Sequence, residues 1–178
     1  MGKLTIRRIV NDGMLAGVYV ILTFLSFSVG NLKIGLSSLA IILTSLLYGP
    51  LDGAIVGLLG ATLNQFRTYG ITLTTPIWII APALRGLIVG IFASLYKRKE
   101  KDLIDNTSIY FLVLILASFV TTMANTLALY LDALIIGYSY TFLILELLSR
   151  IGLGFLTCLI TGLCCLPLYK ALKSITKQ

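Results

Sequence analysis

Arg85, Glu146 and Arg150 are the residues of this 178-residue chain whose chemistry asks for an explanation, because each interrupts a long apolar run. A charge at the centre of a bilayer costs at least about 2.5–3.5 kcal/mol, so it persists where it pairs or binds something. Glu146 and Arg150 are spaced i,i+4, which permits a salt bridge along one helix face as readily as a role towards a ligand. Arg85 has no acid at helical spacing on its own segment. Pairing with Glu146 across a bundle would leave two arginines on one glutamate, a net positive cavity that an anion completes. Asn125 belongs with them, either as hydrogen-bonding glue between helices or as a ligand group. Asn64 and Gln65 close another apolar run.

The stretch from Asn64 to Trp78 mixes amides, hydroxyls and aromatics, and Gly70 and Pro76 mark a non-helical segment within it. Such a segment suits a lid that supplies hydrogen-bonding amides and an aromatic wall. Tyr69 and Trp78 fit that wall equally as well as an interfacial aromatic belt. Enzymatic chemistry has little to work with. The chain has no His, Asp52 and Asp132 stand isolated at helix ends, and Cys158, Cys164 and Cys165 share one apolar stretch. Neither a metal site nor a base–nucleophile pair is indicated, so no cofactor is expected and the chain reads as a non-enzyme. The thiols read as side chains packed in a helix.

The elements that must hold these groups follow from composition. With 58% apolar and 12% charged residues and a mean hydropathy of +1.00, the chain lies outside the soluble range of about 45–50% apolar and 25% charged. It reads as an integral membrane protein of the all-α class, one compact bundle over residues 1–178. Apolar runs predict six helices at 9–28, 36–48, 51–66, 76–96, 108–131 and 142–172. The second is short and turns at Gly49-Pro50 directly into the third.

The net charge of +7 would suggest nucleic acid in a soluble protein, but the cations are juxtamembrane: Lys3, Arg7, Arg8; Lys97, Arg98, Lys99, Lys101; Lys170, Lys173, Lys177. The opposite loops hold only Lys33 and Arg67. The positive-inside rule then places both termini and the 97–101 loop in the cytoplasm, with the polar groups above in the outer half of the membrane. Residues 3–28 also have a signal-peptide profile; the absence of a small-x-small cleavage site favours a retained helix. The longest segment outside the predicted helices is 97–107, and no phosphate-binding loop occurs, so active transport would draw on an ion gradient or on partner subunits. Small residues give a last signal: Gly13, Ala16 and Gly17 in the first helix and Gly53, Gly57, Gly60 and Ala61 in the third permit close helix approach.

Leu32-Lys33-Ile34-Gly35-Leu36 and the turn Leu47-Tyr48-Gly49-Pro50-Leu51-Asp52-Gly53-Ala54-Ile55-Val56-Gly57, on six helices with cytoplasmic termini, resemble the S components of energy-coupling factor (ECF) vitamin transporters. Within that family, Asn64 through Gly70, Thr74-Thr75-Pro76 and Asn125 through Tyr130 look most similar to the pantothenate and folate branch. The resemblance implies a bacterial plasma-membrane protein that captures a vitamin outside and works with a transmembrane T component and two cytoplasmic ATPases. It also implies coupling through an alanine-x-x-x-alanine motif in helix one. Here Ala16 is followed four residues later by Val20, with Gly13 and Gly17 keeping a small stripe nearby. Asn64, Gln65, Tyr69, Trp78, Arg85, Asn125 and Arg150 are the expected ligand contacts, with pantothenate the expected ligand. Folate or another carboxylate-bearing vitamin is the alternative, as is a stand-alone ion-coupled permease.

Overall fold

The computed structural model describes residues 6–25, 27–29, 32–137 and 139–176. Lys3 and Lys177 of the terminal cation clusters lie outside these residues, as do the side chains of Arg7 and Lys33. Six helices run in chain order: α1 Ile6–Phe24, α2 Ser38–Leu47, α3 Pro50–Tyr69, α4 Thr75–Lys97, α5 Thr107–Ile136 and α6 Tyr140–Thr176. One feature departs from an all-α reading. Two three-residue strands, β1 Phe27–Val29 and β2 Leu32–Ile34, pair antiparallel between α1 and α2, Phe27 opposite Ile34 and Val29 opposite Leu32. Both strands carry the β-branched and aromatic residues that favour extended backbone.

Among the described residues, three helices are long and apolar enough to cross a membrane: 75–97, 107–135 and 144–174. The helices present large apolar side chains outward, among them Met14, Ile21, Leu63, Leu112, Phe119, Leu148 and Leu163. A face this apolar belongs in lipid or against another membrane subunit. The short α2 is the opposite case, buried from Ser38 to Leu46. A helix apolar all round, in contact with α1, α3, α4 and α6, forms the middle of the bundle.

The turn into α3 is set by two residues. Gly49 has φ +111°, a conformation a side chain disfavours, and Pro50 starts the helix, where its missing N–H costs nothing. Beyond it, α3 and α4 meet backbone to backbone. A Cβ on Gly86 would stand 2.3 Å from the carbonyl oxygen of Gly53, one on Gly90 2.3 Å from the Cα of Pro50, and one on Gly57 2.7 Å from the carbonyl oxygen of Pro82. Ser45 adds a bond from α2, its hydroxyl donating to the Gly86 carbonyl at 3.0 Å. The small residues of α3 therefore serve packing inside the bundle. Those of α1 divide: Ala16 is buried, whereas a Cβ on Gly13 or Gly17 would meet nothing within 4 Å.

A single 3-10 turn, Leu103–Asp105, leads into α5. Asn106 caps that helix by accepting from the Ile109 N–H at 3.4 Å, and Gly137 closes it in the left-handed conformation. At the same end as the 97–101 cations, Asp102 accepts from Lys173 and from the Tyr169 hydroxyl, tying the turn to α6.

Candidate functional site

At the other end of the bundle, α3 to α6 surround a cavity of about 350 Å³. Each wall residue is placed by its helix: Tyr69 by the last turn of α3, Arg85 by the middle of α4, Thr122 and Asn125 by α5, and Glu146, Ser149, Arg150 and Thr157 by α6. The size falls within the usual range of small-molecule sites, and the walls are unusually polar for a membrane bundle.

The two arginines are in different situations. Arg150 is already engaged: it pairs with Glu146 at 3.1 Å along α6, and its guanidinium lies 5.3 Å from the centre of the Trp78 ring. The i,i+4 salt bridge is therefore formed. Arg85 does not join it, so the expected cross-bundle pairing with Glu146 is absent among the described contacts. Its Nε donates to the Thr121 hydroxyl at 3.4 Å, and no carboxylate lies within salt-bridge distance among the described residues. Thr121 can accept because its own proton goes to the Ala117 carbonyl at 2.6 Å.

The cavity hydroxyls follow the same rule. Thr122 donates to the Ser118 carbonyl, Ser149 to that of Leu145 and Thr157 to that of Leu153, at 2.7–2.9 Å. Having spent their protons on the preceding turn, they offer lone pairs to the cavity. Arg85 and the Asn125 amide supply donors. A ligand with an anionic end and its own O–H or N–H groups matches both sets.

Three expected contacts stand elsewhere. The Asn64 amide oxygen accepts from Arg67 at 3.2 Å and from Thr68 at 3.5 Å along α3. Asn64 and Gln65 are not among the residues that line the cavity: five residues of helix turn Asn64 about 140° from Tyr69, and Gln65, on nearly the same face as Tyr69, sits one turn earlier along α3. Trp78 stands behind the site and not on its wall. Its Nε1 donates to Asp132 at 2.8 Å while its ring faces Arg150, joining α4, α5 and α6. Asp132 is thus not isolated. The non-helical connection is short, residues 70–74, its Thr72 backbone and hydroxyl held by the Thr75 hydroxyl at 2.9 Å.

Nor is Asp52 isolated, for Arg8 pairs with it at 2.5 Å. Asp12, which the sequence reading passed over, is buried beside them. The available signal was an acid inside the apolar run of helix one, one turn past Arg8. The three cysteines are free thiols, Cys158 and Cys165 buried and Cys164 exposed.

A family model described as ECF-type riboflavin transporter, S component, matches residues 3–174. Curated relatives include UPF0397 proteins from Lactobacillus johnsonii, 37% identical over 94 residues covering 50% of this chain and 49% of the relative. Others come from Streptococcus pneumoniae, 37% identical over 93 residues, 51% of this chain and 50% of the relative. The chain spans about half the length of the curated relatives it matches. Among solved structures, the S component of a bacterial ECF transporter superposes with TM-score 0.66 at 20% identity, covering 97% of this chain and 98% of the other. ThiT from Listeria monocytogenes gives 0.68 at 19% identity, covering 92% and 93%. At these identities the likeness is one of fold.

Proposed function

We propose that this chain, which belongs to the ECF-type riboflavin transporter S component family, is the substrate-capturing membrane subunit of a vitamin importer and that its ligand bears a carboxylate, with pantothenate the best match. The observation that carries the ligand class is Arg85, a cation on the cavity wall with no carboxylate within salt-bridge distance among the described residues, the cavity's own Glu146 being paired with Arg150. Arg150, held by Glu146 and Trp78, is the less available partner. Pantothenate brings a carboxylate for Arg85, an amide carbonyl for Asn125, and hydroxyl and amide protons for the oxygens of Thr122, Ser149 and Thr157. Riboflavin is the second reading, favoured by the family description; its uncharged ring system would leave Arg85 without an anion, and among the described residues Tyr69 is the one aromatic on the cavity wall.

In this reading the chain crosses the bacterial plasma membrane six times with both termini in the cytoplasm. A T component and two ATPases drive its cycle, and Gly13 and Gly17 face the T component. Calorimetric titration of the purified chain with pantothenate, riboflavin and a neutral pantothenate analogue lacking the carboxylate tests the ligand. Pantothenate is expected to bind, and Arg85→Gln to weaken it tenfold to a hundredfold, the equivalent of about 1.5–3 kcal/mol for a charge-assisted bond. Heat with riboflavin and none with pantothenate would transfer the site to the flavin. Undiminished affinity in Arg85→Gln would remove the role given to that residue.

A further inference from the structure

The opposite end of α3 holds a second cluster of charge, which stands independently of the ligand reading. Asp52, in the first turn of α3, is 1% exposed and pairs through Oδ2 with Arg8 of α1. Asp12, one turn further along α1 than Arg8, is 2% exposed and faces the same two groups. Arg8 also reaches the Tyr48 carbonyl at the end of α2, at 3.4 Å. From Asp52 to Tyr69 at the cavity is about 25 Å along α3.

Three carboxylate oxygens here meet no donor among the described residues: both of Asp12 and Oδ1 of Asp52. Among the described side chains the charges sum to minus one, since a single guanidinium, paired with Asp52, faces two acids. A buried carboxylate with neither donor nor counter-charge does not stay ionised; it is neutralised by whatever cation reaches it. We propose that Asp12 and Asp52, buried together beside Arg8, form a site that holds one further monovalent positive charge, a proton or an alkali cation. A divalent ion fits poorly. It would overcompensate the single negative charge.

Two measurements on the full chain in detergent at neutral pH distinguish the occupants. One compares the thermal midpoint in sodium, potassium and choline chloride at equal ionic strength. The other looks in the infrared for the C=O stretch of a protonated carboxyl. An alkali cation gives a midpoint higher in sodium or potassium than in choline, a difference lost in Asp12→Asn. A proton gives midpoints independent of the salt and a protonated-carboxyl band that Asp12→Asn removes. Asn keeps the shape of Asp and supplies the neutrality the site requires, so the variant is expected to be at least as stable as the parent. Should it fail to fold, the same losses are read on Asp52→Asn. Wild-type protein with neither cation specificity nor a protonated carboxyl overturns the proposal, as does a band or salt effect that persists in the variant.

Discussion

Arg85 and Arg150 line one cavity from two helices, and their partners differ: a threonine hydroxyl for the first, a carboxylate for the second. Arg150 has its acid four residues away, a pairing any helix would make. Arg85 depends on which face of α5 turns towards it, a matter of helix phase between segments that spacing within one segment cannot supply. The same limit hid the partner of Arg8, which lies 44 residues along the chain, and misplaced Asn64, Gln65 and Trp78. Outside the membrane-spanning segments, Asp102 allows a prediction at this scale. Burial pushes its carboxyl up, but the hydrogen bond and charge of Lys173, with the Tyr169 hydroxyl and the charge of Lys97, more than reverse this and hold it below its ordinary value of 3.8. A carboxyl depressed on folding contributes stability above its unfolded pKa and loses it as pH falls through the folded one. Asp102→Asn is therefore expected to cost about 1 kcal/mol at neutral pH, with the gap closing in acid below the ordinary carboxylate range, as read by thermal midpoints of the two proteins across pH.

Helix existence was readable along the whole chain because an apolar run of membrane length leaves the backbone few alternatives. The observed bounds moved most at α1, which ends at Phe24 because Phe27 and Ser28 of the expected helix pair in a strand, and at α5, which runs on past Asp132 through the apolar residues to Ile136. The small-residue patterns were visible too; their destinations were not, since both kinds of helix face carry the same spacing. Gly90→Ala would press a methyl into Pro50 backbone that cannot turn aside, and a loss of about 1–3 kcal/mol is expected from the thermal midpoint in detergent. Gly17→Leu adds bulk to open space. The isolated chain is expected to keep its midpoint and ligand affinity while losing co-purification with a T component; loss of all three together would make that face part of the fold.

For the whole molecule, the prediction is one of orientation. The cations at Lys97 to Lys101 and the Asp102–Lys173 bridge mark one end of the bundle, and the cavity, with Gly35 and Tyr69 on its wall, lies towards the other. With Cys158, Cys164 and Cys165 replaced, a single cysteine at position 99 is expected to resist membrane-impermeant reagents in intact cells, and one at position 71, on the exposed 70–74 connection, to react. Labelling of position 99 from outside would invert the molecule. The length of α6 has a mechanical bearing on this arrangement. Its 37 residues extend about 55 Å against a hydrocarbon core of about 30 Å, so it either tilts or carries its ends beyond the hydrocarbon. Tilting, kinking and local thickening of the bilayer all accommodate excess length, and packing against neighbouring helices sets the angle. Glu146 and Arg150 ride near one end of this rod and Lys173 near the other, so any change in its tilt moves the cavity wall and the Asp102–Lys173 bridge together.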